Sequence, residues 1–92
     1  MDFELEMACI IGKKGTDITK ENAGEYIFGY TIYNDFSARD AQMVESLGML
    51  GPAKGKDFDD SIILGPVIVT ADELDDPYNL RMQARVNGET WC

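Results

Sequence analysis

FELEMACIIG, residues 3–12, alternates with a two-residue period, and its reading decides how the rest of the chain is organised. Successive side chains of a strand point to opposite faces. Phe3, Leu5, Met7, Cys9 and Ile11 therefore share one face, and Glu4, Glu6, Ala8 and Ile10 the other. This is a strand with two carboxylates on one side. Residues two apart on a strand are separated by about 6.6 Å along the backbone, so their side chains can converge on one point. Two like charges so placed raise each other's pKa unless a cation lies between them, and Mg²⁺, Mn²⁺ and Ca²⁺ prefer carboxylate oxygens. Taken alone, the pair reads more readily as a solvated strand surface.

Downstream, GKKGTD (12–17) is a turn, and TKENAGEYIFGY (19–30) predicts a short helix. Thr19 would cap it, Glu21 would favour its first turn, Ala23, Tyr26 and Ile27 would form its apolar stripe, and Gly29 would end it. YTIYNDF (30–36), rich in β-branched and aromatic residues, is a second strand. SARDAQMVESLG (37–48) predicts a second helix, capped by Ser37 and burying Met43, Val44 and Leu47. The segment 48–61, GMLGPAKGKDFDDS, is a glycine-bearing loop of a length that is usually functional or disordered. IILGPVIVTADEL (62–74) is an apolar strand bent or bulged at Gly65-Pro66. Beyond the turn DDPYN (75–79), Leu80, Met82, Ala84 and Val86 alternate inward, and Asn87-Gly88 signals a hairpin. Only four residues follow that turn, so the chain reads as cut short there, and its opening on a core strand reads the same way.

Ninety-two residues make one small domain. A chain of this size buries roughly 60–65% of the surface it would expose unfolded, so its core is thin. The apolar share of 45% and charged share of 27% are those of an ordinary soluble globular protein, not of a disordered chain. Strands outnumber helices, so the expected class is α+β, β-dominated. A net charge of −9 argues against nucleic acid or an anionic membrane as partner, since both need positive surface. Cys9, set in the apolar strand, reads as a buried thiol, and with Cys92 it gives neither metal spacing nor a disulfide framework. A reducing cytoplasm is the expectation. No apolar run is long enough to span a bilayer, and MDFELEM has no secretory pattern. The chain has no histidine, which removes the commonest general base.

Two further residues carry chemistry. Asp35 ends the second strand just before a helix, where functional side chains often sit, although Asn34-Asp35 is also an ordinary turn former. It would supply a third carboxylate to a cation whose other ligands are water. Lys56, in the glycine-bearing loop, can act as a point charge on substrate oxygens or be a plain solvated lysine.

These pieces occur in one order. FELEMACIIG (3–12), YIFGYTIYNDFSARDAQ (26–42), KGKDFDDSIILGPVIVTADEL (54–74) and NLRMQARVNGE (79–89) resemble the fumarylacetoacetate hydrolase family over nearly the whole chain. The resemblance implies the family's mixed β-roll, here with two short helices, and makes residues 1–92 a partial catalytic domain. It assigns Glu4, Glu6 and Asp35 as ligands of Mg²⁺, with Mn²⁺ or Ca²⁺ as alternatives. Arg39 and Gln42 fall at positions near the substrate, and Lys56 at the active-site lysine. Family members cleave C–C bonds of β-diketo acids, or decarboxylate or isomerise related oxo-acids, and they usually dimerise. The implied partner is a small oxo-acid. The histidine–glutamate pair that activates water in the family's hydrolases lies outside this pattern, so an inactive metal-binding fragment is the alternative to an enzyme.

Overall fold

The computed structural model describes residues 1–92. Three antiparallel strands form its centre: β1 (Leu5–Ile11), β2 (Ile27–Asp35) and β3 (Ile62–Thr70), in the order β1-β2-β3. One α-helix, α1 (Arg39–Ser46), follows β2, and a small hairpin of β4 (Arg85–Val86) and β5 (Glu89–Thr90) lies near the end. The protein is β-dominated α+β, as expected.

The register of β1 against β2 is the feature that matters for function. Leu5 pairs with Asn34, Glu6 with Tyr33 and Met7 with Ile32, and an isolated bridge continues the same register to Asp2 and Ser37. Glu4 therefore stands opposite Asp35. Residues opposite one another in a ladder project to the same face. One face of the sheet carries Glu4, Glu6, Tyr33 and Asp35, and the other Leu5, Met7, Ile32 and Asn34.

Several elements differ from the sequence expectations. The helix anticipated from Thr19 is only a 3-10 turn over Ala23–Tyr26, with Asn22 at its N-terminus. Ile27–Gly29 belong to β2 instead, drawn there by pairing with β1: cross-strand pairing overrides a weak local helix signal. Ser37 is not the cap of α1, whose N-cap is Ala38. Met43, Val44 and Leu47 are exposed, and Leu80 and Met82 are not held inward. Cys9 is exposed, not buried, and neither cysteine is bonded.

The reason is common to all of these side chains. The molecule has no buried hydrophobic residue; only Gly29, Thr31, Ser37, Gly55 and Ser61 are buried. On β1 the face with Glu6, Ala8 and Ile10 is half-buried, whereas Met7, Cys9 and Ile11 on the other are exposed. The carboxylate face is thus the covered one. Against the uncovered face lies an open cavity of about 500 Å³ whose walls include Met7, Ile32, Pro66, Leu80 and Met82. An edge-to-face contact of Phe3 and Trp91, ring centroids 6.2 Å apart, ties the terminal hairpin to the start of the chain.

The strand expected over 62–74 ends at Thr70 and gives way to a 3-10 turn over Ala71–Glu73, whereas the hairpin turn and the irregularity at Gly65-Pro66 are as expected. Asn87 and Gly88 both have positive φ, 51° and 87°, which is the geometry of a tight hairpin turn. The irregularity at Gly65-Pro66 is a register shift against β2, with a cis peptide bond, and the Thr31 hydroxyl donates to the Val67 carbonyl oxygen at 2.7 Å within it. Gly29 is required by close approach, since a Cβ there would collide with the Val69 carbonyl and meet Ile68 and Thr70 at 3.0 Å. Gly29→Ala should therefore lower stability by about 1–3 kcal/mol, the usual cost of overpacking. Gly24→Ala, facing open space, should cost nothing or stabilise slightly. Equal denaturant midpoints for the two variants would contradict this packing.

Candidate metal centre

Glu4, Glu6 and Asp35 each bring one carboxylate oxygen to within 4.8 Å of the others, and all three side chains are half-buried. The ladder makes this convergence. Glu4 and Glu6 are two apart on one strand, and Asp35 faces Glu4 from the next. Like charges opposite one another destabilise a sheet, so the arrangement needs positive charge.

Lys56 supplies it. Its Nζ lies 2.8 Å from Glu4 Oε2 and 2.9 Å from Asp35 Oδ2, with the lysine and aspartate side chains each 17% exposed. Arg39 adds a second cation at the rim: Nη1 is 3.1 Å from Glu4 Oε1 and Nε is 3.1 Å from Asp2 Oδ2. Arg39 Nη1 also donates to Gln42 Oε1 at 3.0 Å, one turn along α1. The Ser37 hydroxyl sits within reach of Glu4 Oε1 (3.3 Å) and the Asp35 carbonyl oxygen (3.1 Å), which explains why it does not cap the helix. The three metal candidates, Arg39, Gln42 and Lys56 are thus brought to one region.

The charges divide the site. The hydrogen bond from Lys56 holds the Glu4 carboxyl below its ordinary value, against the opposing effect of burial. Glu6 has no basic partner at ion-pair distance, and burial followed by the charge of Glu4 pushes its carboxyl up. Burial works against the Lys56 charge, but the hydrogen bonds to Glu4 and Asp35 outweigh it and raise the amine. Burial first, then the Asp35 and Glu6 charges, raise the Tyr33 phenol. Tyr33 was not singled out by sequence; its signal was the two-residue spacing to Asp35 on a strand facing Glu6.

The donor set suits a hard divalent cation. It is oxygen only, since Cys9 lies on the opposite face and there is no histidine. An ammonium already bridges two of the three carboxylates, so the cluster accommodates a positive charge.

A three-stranded sheet presenting a carboxylate cluster with a loop lysine gives the protein an acidic centre, able to hold a cation, on a β-rich scaffold. Comparison then fixes the family. Residues 1–91 match the family described as fumarylacetoacetate (FAA) hydrolase C-terminal, and the chain belongs to it. It is 45% identical over 89 residues to the mitochondrial oxaloacetate tautomerase fahd2 of Xenopus laevis, covering 97% of this chain and 27% of that protein. To oxaloacetate tautomerase YisK of Bacillus subtilis it is 43% identical over 89 residues, covering 97% and 28%. The solved fumarylacetoacetate hydrolase of Exiguobacterium antarcticum superposes with a TM-score of 0.85 at 45% identity, over 96% of this chain and 30% of that one. The chain spans less than a third of the length of these relatives.

The two glutamates have opposite linkage. Because the folded value of Glu6 is raised, stability associated with it is present below about pH 4.5 and lost as pH rises through the folded value. Glu4, with a lowered value, contributes stability above its unfolded value that is lost as pH falls through the folded one. In chelator, Glu6→Gln should therefore raise the melting temperature at pH 7, and the gain should vanish near pH 4. A destabilised variant at pH 7 would show that Glu6 is satisfied without a metal.

Proposed function

We propose that this chain is the metal-binding part of a catalytic domain that isomerises a 2-oxo acid, with oxaloacetate the first candidate substrate. The observation that carries the reading is the convergence of Glu4, Glu6 and Asp35 around the Lys56 ammonium. The names of the Xenopus and Bacillus relatives support the choice of reaction.

Glu4, Glu6 and Asp35 would hold Mg²⁺, or alternatively Mn²⁺ or Ca²⁺. The cation's chemistry would be to withdraw charge from the adjacent oxygens of the oxo-acid and so stabilise its enolate form. Lys56 adds a second positive charge beside those oxygens, as a protonated amine at neutral pH. Its reach is set by the same 2.8 and 2.9 Å contacts that now hold it to Glu4 and Asp35. Arg39 and Gln42, at the exposed rim, would orient the substrate: the guanidinium suits a carboxylate, and the Gln42 amide offers donor and acceptor. Keto–enol exchange needs stabilisation of enolate charge and movement of one proton, which matches this set of groups. C–C bond hydrolysis of a diketo acid is the second reading, favoured by the printed name of the structural relative. It requires in addition a base that activates water.

A homodimer and a cytoplasmic setting form part of the proposal. The dimer comes from the family resemblance and the setting from the two unpaired cysteines. No helix is long and apolar enough to cross a membrane. The −9 charge suits neither nucleic acid nor an anionic surface.

Millimolar Mn²⁺ or Mg²⁺ should raise the melting temperature of the chain, because a ligand of the folded state alone stabilises it. Glu6→Gln should remove that rise. A folded chain indifferent to both ions would overturn the metal assignment. Turnover is read as accelerated decay of the enol absorbance of oxaloacetate, with Lys56→Met expected to lower it by about 10²-fold or more. Metal binding without turnover would favour the inactive-fragment alternative.

A further inference from the structure

Lys56 reaches the carboxylates from a stretch without regular secondary structure, so its backbone must be fixed from outside. The contacts that fix it converge on Glu45, the penultimate residue of α1. Glu45 Oε2 accepts hydrogen bonds from the backbone amides of Ala53 at 2.8 Å and Gly55 at 3.1 Å, and Oε1 accepts one from the Lys54 amide. Three successive amides thus surround one carboxylate, an anion-holding concavity formed by backbone.

The rest of the loop is organised around that point. The Lys56 and Asp57 amides donate to the Ala53 carbonyl oxygen at 3.0 and 2.8 Å, and the Ala38 amide donates to the Gly55 carbonyl oxygen at 2.8 Å. Gly55 is buried so closely against α1 that a Cβ would lie 2.9–3.0 Å from Gln42. Local helix energetics do not explain the glutamate. A carboxylate in the last turn faces the negative end of the helix dipole, which disfavours it. Burial also opposes its charge, yet the Ala53, Gly55 and Lys54 amides outweigh this and hold its carboxyl below the ordinary range.

We propose that Glu45 is a positioning residue for Lys56: its carboxylate gathers the Ala53, Lys54 and Gly55 amides and so fixes the loop that delivers the ammonium to Glu4 and Asp35. The inference rests on the reading of Lys56 as the cation of the candidate site. Lysine is a flexible stem with one charge at its tip, so the ammonium can bridge two carboxylates reproducibly only if its own Cα is held. The Glu45 carboxylate accepts its hydrogen bonds from the loop's backbone amides, and so acts through the loop.

Hydrogen exchange followed by NMR, on the full chain in chelator and without substrate, tests this directly. In the unmodified protein the amides of Ala53, Lys54 and Gly55 should be protected although they lie in a loop. In Glu45→Ala they should exchange about tenfold faster or more, the scale set by losing charge-assisted hydrogen bonds. The β1 and β2 amides should keep their rates. Acylation of Lys56, mapped by mass spectrometry against Lys20 as internal standard, should accelerate several-fold in the same variant. Glu45→Gln keeps one acceptor oxygen and should fall between the two, which a merely space-filling role would not produce. If Glu45→Ala does not fold, Glu45→Gln is read the same way. Unprotected loop amides in the unmodified protein, unchanged loop exchange in the variant, or equal acceleration of loop and sheet would overturn the proposal. Neither metal nor substrate is present, so a failed metal or turnover assay bears on the proposed function and leaves this result independent.

Discussion

The pairing of Glu4 with Asp35 across an antiparallel ladder is the constraint to which the functional half of the molecule answers. Backbone hydrogen bonding fixes the register from Leu5–Asn34 out to Asp2–Ser37, and the side chains have no choice but to meet. Glu6 joins them by strand periodicity. Three carboxylate oxygens within 4.8 Å would otherwise weaken the sheet, and the nearby cations and hydroxyl are placed where that repulsion is greatest. Lys56 bridges the opposed pair, Arg39 takes the outer oxygen of Glu4, and the Ser37 hydroxyl reaches the Glu4 carboxylate and the Asp35 carbonyl oxygen.

Apolar packing contributes little within this chain. No hydrophobic residue is buried, and one face of the sheet, with Met7, Ile11 and Ile32, is open. Order near the carboxylates comes instead from backbone pairing, polar contacts and two close approaches by glycine, Gly29 to β3 and Gly55 to α1. Burial of Ser37 and Ser61 belongs to the same pattern. The Phe36 amide donates to the Ser61 carbonyl oxygen at 3.0 Å, which brings the end of the Lys56 loop back to the end of β2. The loop is therefore anchored at its Ser61 end beside β2 and, through the Ala38 amide and the Gly55 carbonyl oxygen, at the start of α1. A lysine in a loop of this length gains a defined position only through such anchoring.

How much was legible in the sequence follows from the range of the interactions involved. Strand β1, the Asn87-Gly88 turn and the irregularity at Gly65-Pro66 are set by period and by residues with special backbone freedom, and they were read correctly. The helix at Thr19 was misread because pairing with β1 claims Ile27–Gly29, a contact sixteen or more residues distant in sequence. Ser37 looked like a cap because serine before a helical pattern usually is one; its hydroxyl is engaged with Glu4, which no local rule anticipates. Inward faces assigned to Met43, Val44, Leu47, Leu80 and Met82 presumed a core that these 92 residues do not form. The grouping of Glu4, Glu6, Asp35 and Lys56 was visible only through the order of four motifs, since spacing alone left the glutamates on a wet surface. Glu45 was invisible: its partners are backbone amides eight to ten residues away, and amides leave no mark in sequence.

The way positive charge is shared over the cluster has a chemical consequence under the proposed function. Lys56 Nζ contacts Glu4 Oε2 and Asp35 Oδ2, so those two carboxylates share one compensating charge supplied by the chain itself. Glu6 is the member with no basic partner at ion-pair distance, and burial first, then the Glu4 charge, raise its carboxyl. A cation entering the cluster would therefore gain most from Glu6, the one ligand it need not share. Under the proposed function, Lys56 held at Glu4 and Asp35 would present its charge beside the oxygens of a bound oxo-acid. A loop held by Glu45 keeps that charge at the carboxylates, where a cation and a substrate would meet under the proposed function.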